Sequence, residues 1–152
     1  MTTIGEMLGE KADLLVRETL SVGDVHLLQL GREEGITPKE GDIKDKFFVI
    51  LGFDDAGGVI GGVVVNSRIN PKLPSSITDY YMHLSASCNK FLSHDSFVNC
   101  STLKTVKKEK FNKSTFRGKI EDSETINQII GTLSGSPYIS KKLLKQYGIT
   151  GE

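Results

Sequence analysis

The sequence predicts a β-dominated α+β fold in one domain: a small barrel or strongly bent sheet of about five to seven strands, with one helix before it and one or two after it. Three observations carry this. The chain has 152 residues, 38% of them hydrophobic, enough to fill a single core. Five short β-prone runs follow one another at close spacing between residues 25 and 103. Helical apolar periodicity is confined to the two ends.

The elements follow in order. Thr3 to Glu6 has the form T-x-x-E, a capping box that satisfies the first free amides of a helix. Ile4, Met7, Leu8, Ala12, Leu15 and Val16 then recur at helical spacing, which predicts a helix over residues 4–20. Gly23 and Asp24 end it, and Val25 to Leu30 reads as a first strand. Gly31 to Lys46 is polar, without an apolar period, and is expected to be a long loop acting as a lid over a groove. Phe47 to Phe53 is the strongest β signal; Asp54, Asp55, Gly57 and Gly58 turn it into Val59 to Val65. Pro71 and Pro74 block continuation. Tyr80 to Ser85 and Ser96 to Leu103 are two further strands, Val106 to Phe111 a short turn or helix, and Gly118 to Ile120 an edge strand. Asp122 or Ser123 caps a closing helix with Ile126, Ile129, Ile130 and Leu133 on one face, and Ser140 caps a last short helix ending at Gly148. The domain therefore divides into helix 4–20, barrel 22–120 and a helical segment 122–148.

Composition narrows the function. Nineteen basic residues balance nineteen acidic ones, so attraction to a polyanion has to be local. Residues 1–60 hold twelve acids and six bases, whereas residues 101–120 hold Lys104, Lys107, Lys108, Lys110, Lys113, Arg117 and Lys119 against the single acid Glu109. That basic segment is the candidate RNA-binding stretch, because clustered cations supply the sequence-independent attraction to a phosphate backbone. The longest apolar run, Phe47 to Leu51, is far below the roughly 20 residues of a membrane helix. The acidic start of the chain lacks the pattern of a secretory signal, so a cytoplasmic location without membrane contact is expected. Cys88 and Cys100 are expected to be reduced thiols, and no spacing suggests a metal or cofactor site. His26 shares a face with Leu28 and Leu30 and reads as a core residue, while His83 alternates with Tyr81 and Ser85 on a polar face.

The order of these features resembles the PemK and MazF family of toxins. Gly23-Asp24 opens the first strand, Phe47 to Leu51 forms an apolar second strand, and Ser67 ends the third. A later strand and basic segment, Phe97 to Phe111, precede the helix Ile126 to Leu133, so the resemblance spans about residues 22–134. It implies an SH3-like barrel, a homodimer, metal-independent cleavage of single-stranded RNA, and inhibition by an antitoxin protein. By the same resemblance Lys46 stands where the family carries an arginine at the scissile phosphate, and Ser67 becomes a hydrogen-bond donor to that phosphate. Lysine is a point charge without the planar fork of arginine, and Arg68, one residue beyond Ser67, offers that fork. Lys46, Ser67 and Arg68 are therefore the candidate catalytic residues. A non-enzymatic SH3-like module that binds a peptide or nucleic acid in the same groove is the alternative.

Overall fold

The computed structural model describes residues 3–34 and 43–149. Helix α1 (Ile4–Glu18) is followed by strands β1 (Asp24–Gly31), β2 (Ile43–Phe53) and β3 (Val59–Asn66). A single turn of helix, α2 (Ser75–Thr78), leads to β4 (Tyr81–Leu84), β5 (Ser96–Lys107) and β6 (Phe116–Lys119). Helices α3 (Ser123–Ser134) and α4 (Lys141–Gln146) complete the domain. All the strand pairs are antiparallel, in the order β4-β5-β3-β2-β1-β6.

Although β5 and β1 are separated by two strands in that order, Val106 of β5 and Leu28 and Leu30 of β1 belong to one buried cluster. The sheet therefore curls around its own interior, as a barrel-like architecture requires. Irregular register within the β1–β6, β2–β3 and β3–β5 pairs supplies the bending. A 3-10 turn at Lys108–Lys110 carries the chain from β5 toward β6, with Lys108 N–H donating to Gly58 C=O at 3.0 Å. Phe111, fully buried, then plugs the interior against Phe48 with ring centroids 5.8 Å apart.

The other face of the sheet carries Val25, Val49, Leu51, Val63, Val65 and Val98. It is covered by Ile129 and Leu133 of α3 and by Leu144, Tyr147 and Ile149 at the C-terminal end. Because β2 and β3 are buried on both faces, their sequences are nearly continuous apolar runs rather than alternations. Glycine permits the tightest contact. A Cβ at Gly52 would lie 2.1 Å from the Tyr147 carbonyl oxygen, which accepts the Phe53 N–H at 3.0 Å.

The caps fall where the sequence places them: Thr3 and Glu6 form the capping box of α1, Asp122 caps α3 and Ser140 caps α4. Two differences stand out. Residues Ile43 to Lys46, expected as loop, extend β2 and pair with Leu28 to Gly31 of β1. Their polar sequence conceals this, because the stabilisation is main-chain pairing supplied by β1. Similarly β5 runs on to Lys107, held by Val59 to Gly62 of β3. The centre of the expected lid, residues 35–42, lies outside the described residues.

Candidate nucleic-acid interface

Where the apolar interior ends, the face of the sheet that carries Phe48 and Val64 continues as a polar surface. Side chains two residues apart in a strand share a face, as do directly opposed residues on neighbouring strands. Asn66 of β3 opposes Phe97 of β5, which opposes His83 of β4. On the β2 side, Lys46 Nζ donates to Asn66 Oδ1. The result is a row across four strands: Lys46, Asn66, Phe97 and His83. Tyr81 lies two residues before His83 and opposes Asn99, which opposes Val64, so it joins the same face.

These groups are mutually held. Burial raises the Tyr81 phenol above its usual range, partly offset by its hydrogen bond with Asn66, so the phenol stays protonated at neutral pH. His83 Nε2 lies 3.1 Å from Asp95 Oδ2, and the ring packs edge-on to Phe97 at 5.8 Å. Asp95 is fixed from its other oxygen by the Ala86 N–H at 2.8 Å. That backbone hydrogen bond, followed by the one from His83, keeps the Asp95 carboxyl below its usual range. When the imidazole is neutral and donates Nε2–H to an ionised Asp95, His83 Nδ1 carries the lone pair. Chemically, the face offers a cation, a protonated phenol, an aromatic platform and an oriented imidazole. At about 4.8 Å per strand, Lys46 and His83 stand on backbones roughly 14 Å apart, which suits an extended polymer better than one phosphate group.

Of the residues predicted as catalytic, Lys46 lies in this row. Ser67 and Arg68 follow Asn66 in a bend, exposed, and among the described residues neither has a hydrogen bond or ion pair. Asn66, Asp95 and Phe97 were not singled out from sequence. The readable signal was the Tyr81, His83 alternation; the partners come from strands that meet only in the fold.

The basic segment is divided rather than continuous. Among the described residues, Lys107 Nζ lies 3.3 Å from Glu33 and Lys110 Nζ 2.9 Å from Glu34, so the segment is not a free row of cations. Burial raises the Glu34 carboxyl, but the Gly31 N–H and the Lys110 hydrogen bond outweigh it and hold that carboxyl below its usual range. Lys104 is half-buried on β5, and desolvation lowers its ammonium below the usual range. Arg117 Nη1 donates to the carbonyls of Ser114 and Phe116. Lys113 and Lys119 are exposed and Lys108 half-exposed.

His26 is fully buried between Phe111 and Phe116. Thr115 gives its hydroxyl proton to the Asn112 carbonyl, so His26 Nδ1–H is the donor in the 2.8 Å contact to Thr115 Oγ1. Nε2 is consequently a bare, buried acceptor without a partner among the described residues. Desolvation, the largest influence, lowers the His26 pKa to about 4, so this imidazole is neutral at pH 7. Burial pushes the Cys100 thiol up to about 12, which makes it a packing group and not a nucleophile. No helix among the described residues is long and apolar enough to cross a membrane. No protein-family model matches the chain, and neither does any curated protein.

Proposed function

We propose that this protein is a toxin-type, metal-independent endoribonuclease that acts on single-stranded RNA laid across β2, β3, β5 and β4. The supporting observation is the shared face of Lys46, Asn66, Tyr81, Phe97 and the His83–Asp95 pair. Lys46 anchors a phosphate as a point charge, and Phe97 provides a ring on which a base stacks. His83 Nδ1 takes the proton of a ribose 2′-hydroxyl while Asp95 holds the imidazole in orientation. The 2′-oxygen then bonds to phosphorus, the bond to the 5′-oxygen breaks, and the Tyr81 phenol protonates the departing oxygen. The products are a cyclic phosphate and a free 5′-hydroxyl.

The same reading includes protein partners, an antitoxin and a second copy of the chain. It is supported by α1, whose Ile4, Leu8 and Leu15 are 78%, 62% and 60% exposed, an apolar stripe suited to a partner.

The test is incubation of labelled single-stranded RNA in the presence of a chelator. Cleavage is expected to fall about 100-fold to 10,000-fold in His83→Ala, the usual range for a lost general base. For Lys46→Ala, which removes a phosphate contact away from the reacting bond, weaker RNA binding and a salt slope shallower by about 0.7 are expected. RNA bound at low salt but left intact by the wild-type chain would favour the non-enzymatic binding module, a reading supported by the separation of Lys46 from His83. Neither binding nor cleavage would refute both RNA readings and leave the module that binds a peptide.

A further inference from the structure

Strand β1 pairs with β2 from Val25 to Gly31 but with β6 only from Asp24 to His26. Beyond His26 the outer side of β1 finds other partners: the Leu27 N–H donates to Thr115 C=O at 2.7 Å, and the Gly31 N–H donates to Glu34 Oε1 at 2.8 Å. In an antiparallel ladder each residue's N–H and C=O point to one side, and the side alternates along the strand. Leu27, Gln29 and Gly31 therefore all turn their main chain away from β2. Between the two satisfied residues, Gln29 has no partner for either main-chain group among the described residues.

The open position faces a cavity of about 550 Å³ whose lining includes Leu27, Gln29, Asp45, Asn112, Thr115 and Arg117. Arg117 uses only Nη1 for its two carbonyl contacts, so Nε and Nη2 keep their N–H groups for a ligand. We propose that this cavity is a docking site for an extended peptide segment of a partner protein, taken by strand addition at Gln29 with one carboxylate side chain on Arg117.

The chemistry favours a polypeptide over a nucleic acid. An unpaired N–H beside an unpaired C=O on a strand is complementary to another peptide main chain. Asp45 and Glu109 stand against Lys110 and Arg117, and Lys110 is already held by Glu34, so the lining has no surplus of cations for a phosphate backbone and offers one guanidinium to a single carboxylate. Thr115 and Glu34 flank the open position and limit the added strand to a short bridge. Affinity then depends on that bridge and on the side-on pair of N–H donors that arginine offers a carboxylate. Lys46, Asn66, Tyr81, Phe97 and His83 do not line it, whereas Lys110 and Arg117 belong to the basic segment.

The test uses the full chain to select from a phage-displayed library of random 12-residue peptides, followed by NMR titration of one selected peptide. Expected are peptides sharing one Asp or Glu position that slow exchange of the Gln29 amide at least tenfold. Gln29→Pro removes only the outward N–H, which proline at a strand edge tolerates, and should weaken binding at least tenfold. Arg117→Ala should weaken it similarly. Should Gln29→Pro fail to fold, stepwise N-methylation of the peptide provides the same readout from the ligand, with one central position abolishing binding. Failure to select any peptide overturns the proposal, as does binding that leaves the Gln29 amide unprotected. Protection of that amide by a single-stranded oligonucleotide and not by peptide overturns it as well.

Discussion

The buried neutral imidazole of His26 should make this protein sensitive to mild acid. In the unfolded chain His26 titrates near 6.5, whereas in the folded protein desolvation holds it at about 4. The unfolded state therefore binds the proton more readily between those values. Stability is highest above pH 6.5 and is lost as pH falls toward 4. With the side chain fully buried, linkage gives a loss of about 2 kcal/mol at pH 5 relative to pH 7, and about 3 kcal/mol in all, at 1.36 kcal/mol for each pKa unit. The perturbation is His26→Phe, which keeps an aromatic ring between Phe111 and Phe116 and removes the titrating group. Urea unfolding at pH 7, 6 and 5 measures both proteins. The wild type should lose about 2 kcal/mol more than the variant over that interval. Equal losses, or an NMR titration placing His26 near 6.5 in the folded state, would refute the reasoning.

Two other predictions concern packing and charge. Gly62→Ala would place a Cβ 2.1 Å from the Val49 carbonyl oxygen and 2.7 Å from the Phe48 ring; a destabilisation of about 3 kcal/mol or more is expected, measured by urea unfolding at pH 7. Glu33→Gln releases Lys107 from its ion pair, so binding of labelled single-stranded RNA should tighten at low salt and the salt slope should steepen by about 0.7, the contribution of one additional phosphate contact on a single strand; an unchanged slope would remove Lys107 from the RNA-binding surface.

Local chemistry, legible along the chain, determined the helix ends and the first hairpin. Thr3, Asp122 and Ser140 cap helices because their side-chain oxygens reach amides two or three residues away. Gly57 and Gly148 adopt φ of 71° and 70° where the sequence ends a strand and a helix. The apolar runs of β2 and β3 likewise read as strands joined by a hairpin, and the structure buries both of their faces. Tertiary structure alone decided which distant groups share a surface. Ile43 to Lys46 become strand because β1 offers main-chain partners, a contribution absent from their own side chains. The basic run appeared continuous, but Glu33 and Glu34, more than 70 residues earlier in the chain, fold against Lys107 and Lys110. Lys46 meets Asn66, and His83 meets Phe97 and Asp95, because strand register sets those neighbours. Register follows from how the buried rows of several strands interlock, a property of the assembled sheet that no single segment contains.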